Sequence, residues 1–104
     1  MGLTIVYSQI ALRDASEIYN YISRDSVFYA KREINLIKTA IKKLKLQPLL
    51  GKKFEKSEDE NTRELIFRNY RIIYDIVRSK QIVILSIHHH ARLLANNPAF
   101  KDEE

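Results

Sequence analysis

The spacing of the apolar residues changes along this chain, and that change limits the possible fold more than any other feature. From Val27 to Leu44 apolar residues recur at alternating intervals of three and four, whereas beyond Asn61 they recur at every second position. Intervals of three and four mark one face of a helix, and intervals of two mark one face of a strand. The chain is therefore predicted to form helices first and a sheet afterwards. The helical stripe consists of Val27, Ala30, Ile34, Ile37, Ile41 and Leu44.

The helical part is predicted to be a hairpin that follows a short strand. Leu3–Tyr7 is short and rich in β-branched residues, which is typical of a strand, and a helical period begins at about Ser8. A polar break then separates two helices, and Asp25 or Ser26 can cap the second by accepting a backbone N–H bond. Pro48 is expected to end the second helix, because the residue before a proline disfavours the helical backbone.

The second part is predicted to be an antiparallel meander behind the charged loop Gly51–Asn61. Its connections are short, which makes neighbouring strands antiparallel. Ile82–Leu85 is apolar on both faces, so the last strand is expected to be central in the sheet. The predicted strands are Thr62–Arg68, Tyr70–Arg78 and Gln81–His88. The prediction is thus an α+β fold with the order β-α-α-β-β-β, one domain over residues 1–104, in which residues 96–104 are a candidate flexible tail.

Composition narrows the functional classes. The formal charge of +5 and the pI of about 9.5 favour an acidic partner, either nucleic acid or protein. The chain has no cysteine, which removes disulfides, thiolate metal sites and a cysteine nucleophile. The first residues do not resemble a signal peptide, and no apolar run approaches the roughly 20 residues of a membrane span. A cytoplasmic protein without membrane contact is therefore expected.

Three consecutive histidines, His88, His89 and His90, follow the last apolar run. Alternation along a strand places His88 and His90 on one face and His89 on the other, so two of them could bind a metal together. A third ligand has no obvious source, and neither a metal nor a cofactor is predicted. A short hairpin at Ser79–Lys80 would put Arg71 opposite His88 and diagonal to His90, an arrangement suited to a phosphate or to acid/base chemistry.

The strand motifs also carry a family resemblance. Tyr70–Ile76 (YRIIYDI) follows Arg63-Glu64-Leu65 and precedes the apolar run Ile82–Leu85 and a His/Arg ending, while Pro48–Gly51 has the form Pro-x-x-Gly. Over nearly the whole chain this pattern resembles the RelE/ParE superfamily, the toxins of bacterial type II toxin–antitoxin pairs. The resemblance implies an antitoxin partner, with operator DNA contacted only through that antitoxin.

The superfamily has two activities on one scaffold, and both remain open here. A RelE- or YoeB-like member would cleave mRNA on the ribosome. The resemblance to YoeB then assigns Arg71 to the scissile phosphate, His90 to the leaving oxygen, and Glu55 or Glu58 to the 2′-hydroxyl. Positions that are basic in RelE are Glu64 and Ile66 in this chain, which argues against the RelE constellation.

A ParE-like member would instead poison DNA gyrase by binding, without an active site of its own. The ending His89-His90-Ala91-Arg92 resembles the His-Gly-x-Arg turn of that branch, and this interpretation is slightly preferred. A third hypothesis is a non-toxic partner that only binds an antitoxin and regulates DNA. The residues predicted to contact the target or the antitoxin are His88, His89, Arg92, Arg63, Lys42 and Lys43.

Overall fold

The computed structural model describes residues 2–89, and these residues form a helical hairpin against a five-stranded sheet. The α+β class and the mainly antiparallel sheet are as predicted. The elements in chain order are β1 (Thr4–Tyr7), α1 (Gln9–Ser23), α2 (Val27–Lys42), a 3-10 turn (Lys43–Lys45), β2 (Lys52–Lys53), β3 (Thr62–Phe67), β4 (Tyr70–Val77) and β5 (Gln81–His89). No helix within the described part of the chain is long and apolar enough to cross a membrane.

The strand order in the sheet is β1-β5-β4-β3-β2. Strand β5 is interior, as its two apolar faces indicated, and it pairs in parallel with β1 and antiparallel with β4. The prediction of a loop throughout Gly51–Asn61 is wrong at its beginning. Lys52 and Lys53 form the short edge strand β2 against Glu64 and Arg63 of β3. A two-residue strand with charged side chains has no apolar period, so it leaves no trace in the spacing of the sequence.

The connection from β4 to β5 is longer than predicted, yet Arg71 pairs with His88 as predicted. Val77 pairs with Gln81, so the loop has three residues and includes Arg78 and Ser79, both with positive φ. A β-bulge at Leu85 of β5, opposite the step from Ile73 to Tyr74 of β4, shifts the register by one residue. The pairs beyond the bulge therefore match those of a two-residue turn, including the pair of Arg71 with His88.

Each helix begins at a serine whose hydroxyl accepts a backbone hydrogen bond. Ser26 accepts from the N–H of Tyr29, which confirms one of the two predicted caps of α2. Ser8 accepts from Ala11 N–H and also donates to the carbonyl of Leu85 on β5. The first cap therefore also fastens α1 to the sheet. Helix α2 ends at Lys42 and passes into the 3-10 turn, earlier than the predicted end at Pro48.

The core lies between the helical hairpin and one face of the sheet. Its fully buried members come from both helices and from the interior strands, and burying each such side chain contributes about 1.5–3 kcal/mol. The opposite face of the sheet has no helix over it among residues 2–89, and we call it the open face. The largest fully buried side chains are Ile18, Ile41, Leu44, Ile72, Tyr74, Ile82 and Ile84.

Candidate functional site

Two of the predicted site residues meet on the open face near the end of the sheet where β5 finishes. Arg71 of β4 pairs directly with His88 of β5, and both side chains are exposed. The Ser86 hydroxyl lies 3.3 Å from Nε2 of His88. The register predicted for Arg71 and His88 is therefore confirmed. His90, assigned to the same face, lies outside the described residues, as do Arg92 and residues 96–104.

The carboxylate that reaches Arg71 belongs to Glu64. Its Oε2 atom lies 3.6 Å from Nε of Arg71, and its Oε1 atom lies 3.4 Å from Nζ of Lys52. The Glu64 side chain is only 8% exposed, so the two cations compensate a carboxylate that has lost most of its water. The strand motifs around Arg71 hold two carboxylates, Glu64 and Asp75. Arg71 pairs with Glu64, whereas Asp75, four residues further along β4 and about 13 Å away, accepts a hydrogen bond from the Thr62 hydroxyl.

The structure does not bring Glu55 to this place. The N–H of Phe54 donates to the carbonyl of Thr62 at 2.9 Å, and Glu55 follows directly, exposed to solvent. Arg71 pairs with Ile66, which is four residues further along β3 than Thr62. Four residues of a strand span about 13 Å. Neither Glu55 nor the exposed Glu58 beyond it is therefore placed to act on a group bound at Arg71.

His89 faces the helices, opposite to His88, as strand alternation predicted. Its ring stacks on Tyr70 with centroids 4.8 Å apart and meets the edge of Tyr21 at 5.8 Å. The Tyr70 hydroxyl donates to Glu33 of α2 at 3.0 Å. Burial, and then the bond to the Glu33 carboxylate, raise the pKa of Tyr70 far above its usual value, so the phenol stays protonated. His89 is thus part of the packing between sheet and helices, and only its partly exposed side is open to a partner.

Within residues 2–89, no three histidine, aspartate or glutamate side chains gather as metal ligands do.

Arg63, predicted as a contact residue, is engaged inside the protein. Its Nε atom donates to the carbonyl of Gly51 at 2.6 Å. The hydroxyl of Tyr74 accepts from Gly51 N–H at 3.0 Å and donates to the carbonyl of Pro48 at 2.7 Å. These three bonds hold the Pro48–Gly51 turn against the sheet. Burial raises the pKa of Tyr74, while the bond from Gly51 and the charge of Arg63 oppose that rise.

Lys42 and Lys43 are both exposed, as a contact surface requires. Lys42 lines a cleft of 810 Å³ between the end of α2 and strand β1. Lys38 and Lys45 line the same cleft and were not singled out from the sequence. The signal was present in the sequence, because Lys38 and Lys42 are four residues apart and such residues share one helix face. What the sequence did not show is that this face meets an edge strand.

The fold has counterparts among solved toxin structures. A chain of the chromosomal ParDE toxin–antitoxin system of P. aeruginosa is 22% identical with a TM-score of 0.68, covering 84% of this chain and 95% of its own. A chain of the RelBE2 toxin–antitoxin complex of Mycobacterium tuberculosis is 23% identical with a TM-score of 0.61, covering 86% and 99%. The YoeB dimer of Staphylococcus aureus is 24% identical with a TM-score of 0.58, covering 86% and 99%. At such identities these likenesses define the fold class, that of the RelE/ParE-like toxins.

A comparison with models of protein families identifies one family within this class. The model described as the ParE toxin of the type II toxin–antitoxin system parDE matches residues 5–94. The chain therefore belongs to the ParE toxin family and is the toxin of a type II toxin–antitoxin system. A comparison with curated proteins found no match.

Proposed function

We propose that this toxin stops growth by binding and poisoning DNA gyrase, and that a cognate antitoxin neutralises it. The observation that carries the proposal is the position of Glu64 beside Arg71. A phosphodiester that approached the guanidinium would meet the negative charge of Glu64 only a few ångströms away. This repulsion offsets part of the attraction that Arg71 and Lys52 exert on the phosphodiester. The open face is therefore better suited to a protein surface than to a scissile phosphate.

The same geometry weakens Glu64 as a general base. A base must reach the proton that it removes, within about 2.6–3.2 Å. Glu64 is buried and lies between Lys52 and Arg71, which engage its two carboxylate oxygens. Arg71 and His88 instead present exposed polar groups to a partner, and Lys42 and Lys43 present further charge on the helical side. In this proposal all four residues contribute to binding, and the chain needs no cofactor.

The second candidate is a ribosome-dependent endoribonuclease, and one observation favours it. Arg71 and His88 are paired residues on the open face, so an arginine and a histidine face the same volume of solvent. Arginine suits a phosphate through charge-assisted hydrogen bonds, and histidine suits proton transfer near neutral pH. In this reaction His88, or His90 beyond the described residues, would protonate the leaving oxygen.

A paired assay on the purified full-length toxin separates the two candidates. Supercoiling by gyrase is measured with increasing toxin, and cleavage of mRNA on translating ribosomes is measured with the same preparation. We expect supercoiling to stop and mRNA to remain intact. Ribosomal mRNA cleavage with normal supercoiling would reverse the assignment. In that case Arg71→Ala and His88→Ala should each lower cleavage at least about 100-fold. Lys56→Ala, at an exposed position, is the control and should leave cleavage unchanged.

In cells, inhibition of gyrase is likewise expected to be the first effect of the toxin. Pulse-labelling in the minutes after induction without antitoxin should show DNA synthesis falling before protein synthesis. If neither falls, while the chain still binds an antitoxin tightly, the protein is the non-toxic regulatory partner of the third hypothesis. In each case the proposal locates the protein in the cytoplasm, because gyrase and ribosomes are both there, and operator DNA is reached only through the antitoxin.

A further inference from the structure

Basic side chains follow the end of α2 and continue around one end of the sheet. Residues 34–54 contain six lysines and neither aspartate nor glutamate. Lys38 and Lys42 of α2 and Lys45 of the 3-10 turn line the 810 Å³ cleft together, and all three are exposed. Arg78 and Lys80, in the turn between β4 and β5, are exposed as well.

Two backbone hydrogen bonds bring these two groups of cations together. Leu3 N–H donates to the carbonyl of Lys45 at 3.1 Å, and Thr4 N–H donates to the carbonyl of Lys80 at 3.1 Å. Because Leu3 and Thr4 are consecutive, Lys45 and Lys80 are fixed on either side of the beginning of β1. The helical lysines and the turn therefore form one continuous surface, which we call the basic strip. It consists of Lys38, Lys42, Lys45, Arg78 and Lys80.

The charge of the basic strip is not offset by carboxylates. In the part of the chain that the structure describes, the cations that form ion pairs are Lys52, Arg68 and Arg71, and none of them belongs to the strip. The residues that line the cleft include no aspartate or glutamate either. The strip therefore attracts an anion more strongly than the open face does, where Glu64 lies beside Arg71.

The length of the basic strip suits a polyanion. From Lys38 to Lys45 the chain rises about 10 Å. Crossing the beginning of β1 to Lys80 adds roughly 10 Å, since neighbouring strands lie about 5 Å apart and Lys45 is on the far side of β1. One strand of duplex DNA has a phosphate every 3.4 Å or so along the axis, so about six phosphates span this length. A protein segment would need carboxylates along the whole 20 Å or so, whereas a nucleic acid carries one charge at every nucleotide.

The exposed rings that would stack on unpaired bases lie elsewhere. Among residues 2–89 the strongly exposed aromatic side chains are Phe28 and Tyr29, at the beginning of α2. Phe28 is ten residues before Lys38, about 15 Å away along the helix. Tyr7, which lines the cleft, is packed against the core. Single strands are bound by aromatic stacking as well as by cations, so a surface of cations alone favours the backbone of a duplex.

We propose that the basic strip binds the phosphodiester backbone of duplex DNA without reading its sequence. With gyrase as the target, this duplex is the DNA that the enzyme holds, and the toxin contacts the protein and its DNA substrate at once. The assignment to DNA held by gyrase rests on the proposed function. The chemistry of the strip rests on its own geometry and charge.

The test is the salt dependence of binding between the full-length chain and a mixed-sequence duplex of about 24 base pairs. Fluorescence anisotropy gives the affinity between about 50 and 200 mM salt. Five phosphate contacts predict a loss of roughly 500-fold over this range. K38Q/K42Q/K45Q should lose only roughly tenfold, because two contacts remain, and R78Q/K80Q should lose roughly 40-fold.

The control K31Q/K53Q/K56Q removes three exposed lysines outside the basic strip, so it changes the net charge as K38Q/K42Q/K45Q does. It should keep the full salt dependence of the unmodified chain. Equal salt dependence in the two triple variants would show diffuse attraction and overturn the proposal. Tighter binding to an RNA duplex of the same length, or to a glutamate-rich peptide of the same charge, would overturn it too, as would no binding at about 50 mM salt.

A supercoiling assay separates this proposal from the proposed function. R78Q/K80Q should need at least about fivefold more toxin than K31Q/K53Q/K56Q to stop supercoiling by gyrase, because two contacts to the bound DNA are lost. Equal inhibition by the two variants would overturn the assignment to DNA held by gyrase. DNA binding by a chain that leaves gyrase untouched supports the basic strip and counts against the proposed target alone.

Discussion

The phenol of Tyr74 joins segments that are more than twenty residues apart in the chain. Its ring is fully buried, and its hydroxyl bonds to both ends of the Pro48–Gly51 turn. The turn approaches β3 so closely that Gly51 has no room for a side chain. A Cβ atom there would lie 2.6 Å from the carbonyl oxygen of Glu64 and 2.8 Å from the Tyr74 hydroxyl. The Pro-x-x-Gly pattern is thus explained by a close approach of two backbones.

Gly51→Ala should destabilise the fold, because the atoms it meets belong to a paired strand and a buried ring. Forcing atoms into such a site costs about 1–3 kcal/mol. Gly2→Ala is the matched control, since its Cβ would meet nothing nearer than Lys45 Cβ at 3.3 Å. Urea denaturation measures both, and equal midpoints for the two variants would contradict the packing argument.

At the residue scale, the sequence could predict which residues are adjacent across a hairpin, but not which charges pair. Arg71 and His88 are related by the register of one hairpin, and that relation was predictable. Glu64 and Asp75 were equally plausible partners for Arg71 in the sequence. In the structure Asp75 lies about 13 Å further along β4, whereas Glu64 of β3 lies beside Arg71 and also contacts Lys52, which comes from a strand that the apolar period does not reveal.

At the scale of the elements, a serine hydroxyl caps the start of each helix, and the two serines make different numbers of hydrogen bonds. Ser26 makes one cap bond, to Tyr29 N–H. Ser8 makes its cap bond and a second bond to the carbonyl of Leu85, which is the extra residue at the β-bulge of β5. The Asp14 carboxylate accepts from Ile87 N–H two residues later. Helix α1 and its cap therefore supply hydrogen-bond partners for the backbone of β5 beyond the point where β1 ends.

Serine-to-alanine substitutions should reproduce this order. Loss of an N-cap costs about 1 kcal/mol, and a lost hydrogen bond to a partly buried carbonyl adds roughly 1 kcal/mol. We expect a loss of about 2 kcal/mol for Ser8→Ala, about 1 kcal/mol for Ser26→Ala, and close to none for Ser23→Ala, whose exposed hydroxyl donates to Asn20. The free energy of unfolding from chemical denaturation gives the ranking. A loss for Ser8→Ala no larger than for Ser26→Ala would contradict the role of Ser8 in holding α1 to β5.

At the scale of the whole molecule, the charges divide between two surfaces. On the open face, the buried Glu64 lies between Lys52 and Arg71 and offsets one of their two charges. In the cleft beside β1, three lysines line the wall without a carboxylate. The lysines of the cleft thus form a cationic surface that is separate from the open face.

The buried phenols predict how the whole fold responds to alkali. Burial raises the pKa of Tyr70 and Tyr74 in the folded chain, whereas in the unfolded chain both titrate near 10. Above that pH the unfolded chain releases protons that the folded chain keeps, so stability is full below about pH 10 and falls as the pH rises further. Each tyrosine can contribute up to ~1.4 kcal/mol per pH unit to this loss.

Denaturation midpoints between pH 8 and 11 test this response. Tyr70→Phe should lower stability at neutral pH, since the bond to Glu33 is lost, and should flatten the alkaline slope. Tyr29→Phe is the control, because its ring is 55% exposed and its removal should leave the slope unchanged. A slope that is the same in all three proteins would refute the contribution of Tyr70.

The sequence by itself determined the elements that depend on short-range interactions. Helical and strand periods, the serine cap of α2 and the register of Arg71 with His88 all follow from residues close together along the chain or across one hairpin. Only the tertiary structure decided the short strand β2, the bulge at Leu85, the engagement of Arg63 and the pairing of Arg71 with Glu64. It also placed the lysines of α2 beside the edge of β1. These features join segments that are distant in the chain, and their distances are set by how the hairpin packs on the sheet, which no local pattern encodes.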